Sequence, residues 1–234
     1  MKRFKLFLLL ALMSVPFMQS CNKPVDKPDQ VALATLHSAP FSAAGFYGLL
    51  DNGDMIYPSS IRVQYEPKSE PVRAILYFKE LEEPVQGFKY NADIHSITEL
   101  LTQNIKTVNT AAADTLKDGV EIINAYIGGG YLNIEFKAYI DPYNTKQEVT
   151  VELQDMRTDG IPEWDSYYPL TLGFRCYPTL VDGMGYEVSS IACFYIGDEY
   201  SLENLGCEGY ELRYKGLMKV EGDNSYETKI VKPE

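Results

Sequence analysis

Two histidines, four cysteines and a few grouped carboxylates are the side chains of this 234-residue sequence whose chemistry could exceed packing. Asp93 and His95 stand two residues apart, which on a strand puts both on one face. A carboxylate beside an imidazole could act as a base or begin a metal site, but either needs a third group, and spacing places none. Two surface residues are the plain alternative. His37, before Ser38-Ala39-Pro40, reads as a turn residue at a strand end. Asp51, Asn52 and Asp54 crowd together as a calcium loop does, without its length or its downstream glutamate. Gly128-Gly129-Gly130 precedes a strand, where a dinucleotide fingerprint would open a helix, so it reads as a tight turn. In Pro162-Glu163-Trp164-Asp165-Ser166-Tyr167-Tyr168, the rings of Trp164, Tyr167 and Tyr168 could stack a sugar or anchor a protein partner. They could equally plug the open end of a core. No G-x-S-x-G elbow, H-E-x-x-H or paired C-x-x-C occurs, so hydrolase and metalloprotease readings lack support. No catalytic residue, metal site or cofactor is expected, and the chain reads as a binder rather than an enzyme.

The first 21 residues carry the sharpest signal. Lys2, Arg3 and Lys5 precede an apolar run from Phe4 to Met13. A charged head, a short apolar run and a small-residue close describe a secretory signal peptide, and the run is too short to cross a membrane. Met18-Gln19-Ser20-Cys21 resembles the lipobox of bacterial lipoproteins, with Met18 where leucine is usual. The resemblance implies cleavage after Ser20 and acylation of Cys21, the expected lipid-attachment residue; several acyl chains hold far more firmly than one. An ordinary secreted protein with an incidental Cys21 is the alternative. Asn22 replaces the aspartate of inner-membrane retention, which points to the outer membrane with its face undetermined. Residues 21–31, polar and with two prolines, read as a lipidated tether.

Charge narrows the partners. The whole chain has 21 basic and 33 acidic residues; loss of residues 1–20 removes three basic and no acidic ones, leaving a net charge of −15. Such a chain repels phosphate backbones, so nucleic acid is not an expected partner. The expected partners are the membrane, through the lipid, and an envelope protein or a glycan. The 18 tyrosines against 10 phenylalanines suit strands with one wet face. Cys176, Cys193 and Cys207 remain after Cys21 is set aside, and an odd number cannot all pair. Cys176 and Cys193 each lie in a strand-like run and could pair or stay as thiols.

The elements that position these residues are strands. Val31–Leu36 reads as the first, and Asn52-Gly53 between apolar runs is a hairpin signal. Ile61, Val63 and Tyr65 alternate with polar residues; Arg73 to Leu81 and Phe88 to Ile94 follow as strands. Ile97, Leu100, Leu101, Ile105 and Val108 are spaced nearer to a helical period and predict a short helical turn. The small, polar stretch 109–119 predicts a domain boundary. Tyr131 to Ile140 alternates strictly, with Leu132, Ile134, Phe136, Ala138 and Ile140 on a buried face and Tyr131, Asn133, Glu135, Lys137 and Tyr139 on a wet one. Short strands spaced by turn residues continue to Val231, which predicts an all-β sandwich or barrel.

Three segments together resemble the NigD-like lipoproteins of Gram-negative envelopes. They are Leu50-Asp51-Asn52-Gly53-Asp54 with Tyr57-Pro58, the stretch from Ile97 to Val108 with Leu100-Leu101-Thr102, and Gly130-Tyr131-Leu132-Asn133-Ile134-Glu135-Phe136. The resemblance spans the mature chain and implies an all-β protein: a small OB-like barrel followed by a β-sandwich. The expected division is a signal peptide over 1–20, a tether over 21–31, an OB-like barrel over 32–110 and a sandwich over 118–234. The family name implies association with a bacteriocin operon, which is not a mechanism. The implied role is an outer-membrane-anchored binding module, or alternatively a glycan-binding accessory lipoprotein at the cell surface.

Overall fold

The structure, a computed structural model, describes residues 28–108, 118–141, 143–144, 146–156, 166–177, 185–217 and 226–233. Two all-β bodies follow one another. The first is a closed five-stranded barrel of β1 (Gln30–Ser38), β2 (Phe46–Leu50), β3 (Met55–Ile61), β4 (Val72–Glu80) and β5 (Tyr90–Glu99), in the order β1-β2-β3-β5-β4. Closure leaves no free sheet edge in the barrel. Alternate residues fill it: Ala34 and Leu36, Phe46, Ile56, Ala74, Leu76 and Phe78, Ala92 and Ile94. The β2–β3 hairpin turns at Asn52-Gly53 as its sequence predicts, with Gly53 at φ 85°.

The second body is a sandwich of two sheets. One runs β14 (Glu227–Val231), β13 (Gly209–Tyr214), β11 (Tyr167–Tyr177), β10 (Glu148–Asp155), β7 (Lys106–Thr107). The other runs β6 (Leu101–Asn104), β12 (Tyr186–Tyr195), β9 (Tyr131–Ile140), β8 (Glu121–Gly128). Between them lies a core that includes Leu132, Ile134, Phe136, Leu153, Leu170, Phe174, Phe194 and Leu212. A helical turn, α1 (Leu202–Leu205), is capped by Ser201, whose Oγ accepts from Asn204 N, and ended by Gly206 in the left-handed region.

Three expectations need correction. The stretch from Ile97 to Val108 is extended throughout, as the end of β5, then β6, then β7. Its spacing mimicked a helix because the chain changes sheet twice, leaving the barrel at Leu100 and passing between the two sandwich sheets at Ile105, and the in–out alternation restarts each time. β6 pairs with β12 and β7 with β10, so residues 101–107 belong to the sandwich sheets and not to a barrel extending to 110. The outer face of β9 is also not wet along its whole length. Asn133 is wholly buried and Tyr131 nearly so, because the barrel lies on that face. Of the two alternatives left open for the cysteines, the structure has thiols: Cys176 on β11 joins the sandwich core, whereas Cys193 on β12 is paired in register with Asn133 on the opposite face. In different sheets and facing different ways, they do not form a disulfide.

Candidate functional site

The junction between barrel and sandwich gathers the most unusual side chains of the molecule. In β4 the even-numbered Val72, Ala74, Leu76 and Phe78 point into the barrel, so Arg73 points out of it. Arg73 is nevertheless fully buried, as is Thr35 beside it on the outside of β1, because the sandwich covers both. The Arg73 guanidinium grips Asp51 with two bonds, Nη1 to Oδ1 at 2.6 Å and Nη2 to Oδ2 at 3.0 Å. It also donates to Thr35 Oγ1 at 3.1 Å and, across the junction, to Asn133 Oδ1 at 3.2 Å. The amide of Asn133 is oriented by donating to the carbonyls of Gly128 and Tyr131 at 3.2 and 3.3 Å. The ring of Tyr131 lies under the guanidinium at 5.4 Å.

Local structure makes the approach possible. Asp51 opens the β2–β3 turn, which Asn52 braces by accepting from Asp54 N at 2.9 Å. Gly128 and Gly129 meet the Asp51 carboxylate from the sandwich side. A Cβ on Gly128 would sit 2.6 Å from Asp51 Oδ2, and one on Gly129 would sit 2.5 Å from Oδ1 and 2.7 Å from Arg73 Nη1. Gly129 and Gly130 also adopt φ of 61° and 82°, the tight turn expected of the glycine run. Burial acts to lower the pKa of Arg73, but the hydrogen bonds and charge of Asp51 outweigh it and hold the guanidinium above its ordinary value. Burial pushes the Cys193 thiol beside it up to about 11, so it is neutral.

Beside this junction the two bodies leave a cleft of about 480 Å³. Thr35, His37 and Leu49 of the barrel form one wall; Thr102, Gln103 and Asn104 of β6 with Tyr131 and Tyr195 form the other. Tyr131 and Tyr195 pack with centroids 5.5 Å apart, and Tyr195 is half exposed. A second, smaller gap of about 360 Å³ lies between Ile75, Thr98 and Glu99 of the barrel and Glu135 and Ile191 of the sandwich. Glu70 and Pro71 line the cleft of about 480 Å³ as well, so hydroxyl, amide and carboxylate groups stand beside aromatic walls, a lining that suits a binder of ligands rich in hydrogen-bonding groups.

The residues singled out by sequence are scattered. Cys21 and Trp164 lie outside the described residues. Tyr168 is buried in the sandwich core, its hydroxyl donating to Asp155 Oδ2 at 2.9 Å, so it presents no face to a ligand. Adjacent strand residues alternate, so Tyr167 points the other way, with Lys232 Nζ 5.0 Å above its ring. Asp93 and His95 do come together, with Nε2 3.5 Å from Oδ2. However, Asp93 already accepts from Arg62 Nε at 2.8 Å and Ser60 Oγ at 2.5 Å. The Arg62 hydrogen bond, with that from Ser60, holds its carboxyl below the usual range despite burial. Among the described residues no group of three or more His, Cys, Asp and Glu is arranged to hold a metal. The sequence reading missed Arg73. A cation among Val72, Ala74, Ile75 and Leu76 in a barrel strand was the signal available for it.

Asp51 lies in the first segment of the family resemblance and Asn133 in the third, so the shared motifs meet at the junction. Residues 36–100 match the NigD-like N-terminal OB domain, and residues 104–199 match the NigD-like C-terminal β-sandwich domain. No curated protein matches the chain. Among solved structures, a protein of unknown function from Bacteroides vulgatus ATCC 8482 is similar with a TM-score of 0.67 and 24% identity, over 88% of this chain and 90% of that one. A NigD-like immunity protein from Bacteroides caccae ATCC 43185 is similar with a TM-score of 0.57 and 18% identity, over 86% and 91% of the two chains. A protein named as a lipoprotein from Bacteroides fragilis NCTC 9343 is similar with a TM-score of 0.61 and 9% identity, over 88% and 97%. These likenesses share the fold. With both domain families matched in order and together spanning most of the chain, this protein belongs to the NigD-like family.

Proposed function

We propose that the protein is a lipoprotein anchored in the outer membrane through Cys21, and that it works by binding an envelope protein or a glycan rather than by catalysis. The observation that carries this reading is the sequence Met18-Gln19-Ser20-Cys21 after a charged head and apolar run, followed by a polar tether that ends where β1 begins at Gln30. The name of the Bacteroides fragilis relative, a lipoprotein, supports the anchor, and that of the Bacteroides caccae relative, an immunity protein, supports a bacteriocin-associated binding role. The Arg73–Asp51–Asn133 junction, with Arg73 and Asn133 fully buried, supports a rigid binder, since it ties both bodies into one frame around an open cleft. Metabolic labelling with an alkynyl fatty acid tests the anchor. The wild type is expected to take up label and fractionate with outer membranes, and Cys21→Ser to lose both. Label retained by Cys21→Ser would overturn the reading.

A further inference from the structure

The outside of the barrel carries a connected row of rings that leads into the cleft. His37 stacks on Tyr47 across the β1–β2 pair, with centroids 5.1 Å apart and planes 14° from parallel. Tyr47 meets Phe41 at 6.1 Å and Phe88 at 6.2 Å, and Phe88 meets Tyr57 at 5.1 Å. Phe41 lies in the β1–β2 connection and is 65% exposed; Phe88 lies in the β4–β5 connection. Phe41 does not stand singly but joins a connected patch of rings, and it is such connected exposed patches that mark interaction surfaces. His37 also lines the cleft, so the row leads toward the opposite wall of Tyr131 and Tyr195, past Thr102, Gln103 and Asn104, with Glu70 in the same lining as an acceptor for hydroxyl groups and a charge that disfavours anionic ligands. Connected ring faces beside amide and hydroxyl groups fit a ligand with apolar C–H faces and a hydroxyl rim. Two connecting loops and the face of strands 2 and 3 are also where barrels of this topology present their ligand surface. Single-stranded nucleic acid would use the same rings, but needs a basic groove, and this chain carries a net charge of −12.

We infer that the ring row from Phe41 and Tyr47 through His37 to Tyr195, with the cleft it enters, is a binding site for an uncharged polysaccharide chain. This inference rests on the reading of the protein as a binder and names the ligand class. Affinity electrophoresis of the protein through gels containing dextran, pullulan, galactomannan, xyloglucan or laminarin tests it. The wild type is expected to be retarded by at least one of these. Phe41→Ala and Tyr195→Ala, both at exposed rings, are expected to weaken that binding about tenfold each. Tyr226→Ala, at an exposed tyrosine outside the cleft, is expected to leave it unchanged. Thermal unfolding of each variant confirms that the fold is intact. Absence of retardation in all five gels, or equal retardation of wild type, Phe41→Ala and Tyr195→Ala, would overturn the inference. If instead Phe41→Ala and Tyr195→Ala abolish crosslinking of the membrane-anchored protein to an envelope protein, the site is a protein dock. The glycan inference then fails while the binding role stands; no crosslink and no retardation would remove both.

Discussion

Arg73 is the residue on which the two bodies depend. A guanidinium out of water is tolerated only because Asp51, Thr35, Asn133 and the ring of Tyr131 together replace its hydration. Removing one partner of a buried ion pair leaves the other charge unsatisfied, which costs more than the pair itself contributes. Asp51→Asn keeps the shape and removes the charge, and is expected to destabilise the protein by about 3 kcal/mol. That lowers Tm by roughly 6–12 °C for a chain of this size. Asp54→Asn, three residues along in the same exposed turn, is expected to stay within about 0.5 kcal/mol. Differential scanning calorimetry of the two variants checks this; equal Tm values would show that the ion pair does not hold the junction. Cys193 illustrates the same burial in a different chemistry. Its register partner is Asn133, and its raised thiol pKa follows from the barrel covering a face that its own strand would leave in water.

The element that matters most is the β8–β9 turn. It does two separate things with glycine. Gly130 needs only a positive φ, with open space where a Cβ would go. Gly129 needs both the positive φ and the missing side chain, since the Asp51 carboxylate and the Arg73 guanidinium occupy that space. Gly130→Ala is therefore expected to cost about 1–2 kcal/mol, the left-handed backbone alone. Gly129→Ala adds displacement of the pair around the buried Arg73 and is expected to cost about 3 kcal/mol more. Urea denaturation resolves the two; a Gly130→Ala loss as large as that of Gly129→Ala would show that only turn strain is at stake. The glycine run was legible in the sequence as a turn, because positive φ is a local demand. The contact it makes was not, because Asp51 lies far away in the chain and on another body. The stretch after Glu99 shows the converse. Its residues give a clear pattern, and the pattern misleads because alternation has meaning only within one sheet.

At the scale of the molecule, acid stability follows from groups spread over the barrel. His37 is held below its ordinary 6.5 by burial in its stack. The folded chain resists a proton that the unfolded chain accepts, so stability falls as pH drops below 6.5. Asp93 is held below its ordinary 3.8, first by the hydrogen bond from Arg62. Its contribution is complete above 3.8 and is lost as pH falls through the lower folded value. Between about pH 7.5 and about pH 5 only the histidine effect operates of these two, so His37→Gln is expected to lose less stability than the wild type over that interval. Urea midpoints at both pH values check it, and parallel losses in the two proteins would contradict it.

The sequence by itself determined the all-β class and most of the strands, because these rest on local signals: apolar runs, alternation and turn residues; the order of barrel and then sandwich came from the family resemblance. It also supplied the family through three short segments. Only the tertiary structure decided which polar residues matter. Thr35, Arg73 and Asn133 sit on outer strand faces, where alternation predicts water, and they are buried because one body covers the other. The ring row on the barrel was equally hidden. His37, Phe41, Tyr47, Tyr57 and Phe88 are separated in sequence, and closure of the barrel is what brings them onto one surface. Burial and proximity between distant segments are properties of packing, and a period of two along a strand carries no information about what lies across from it.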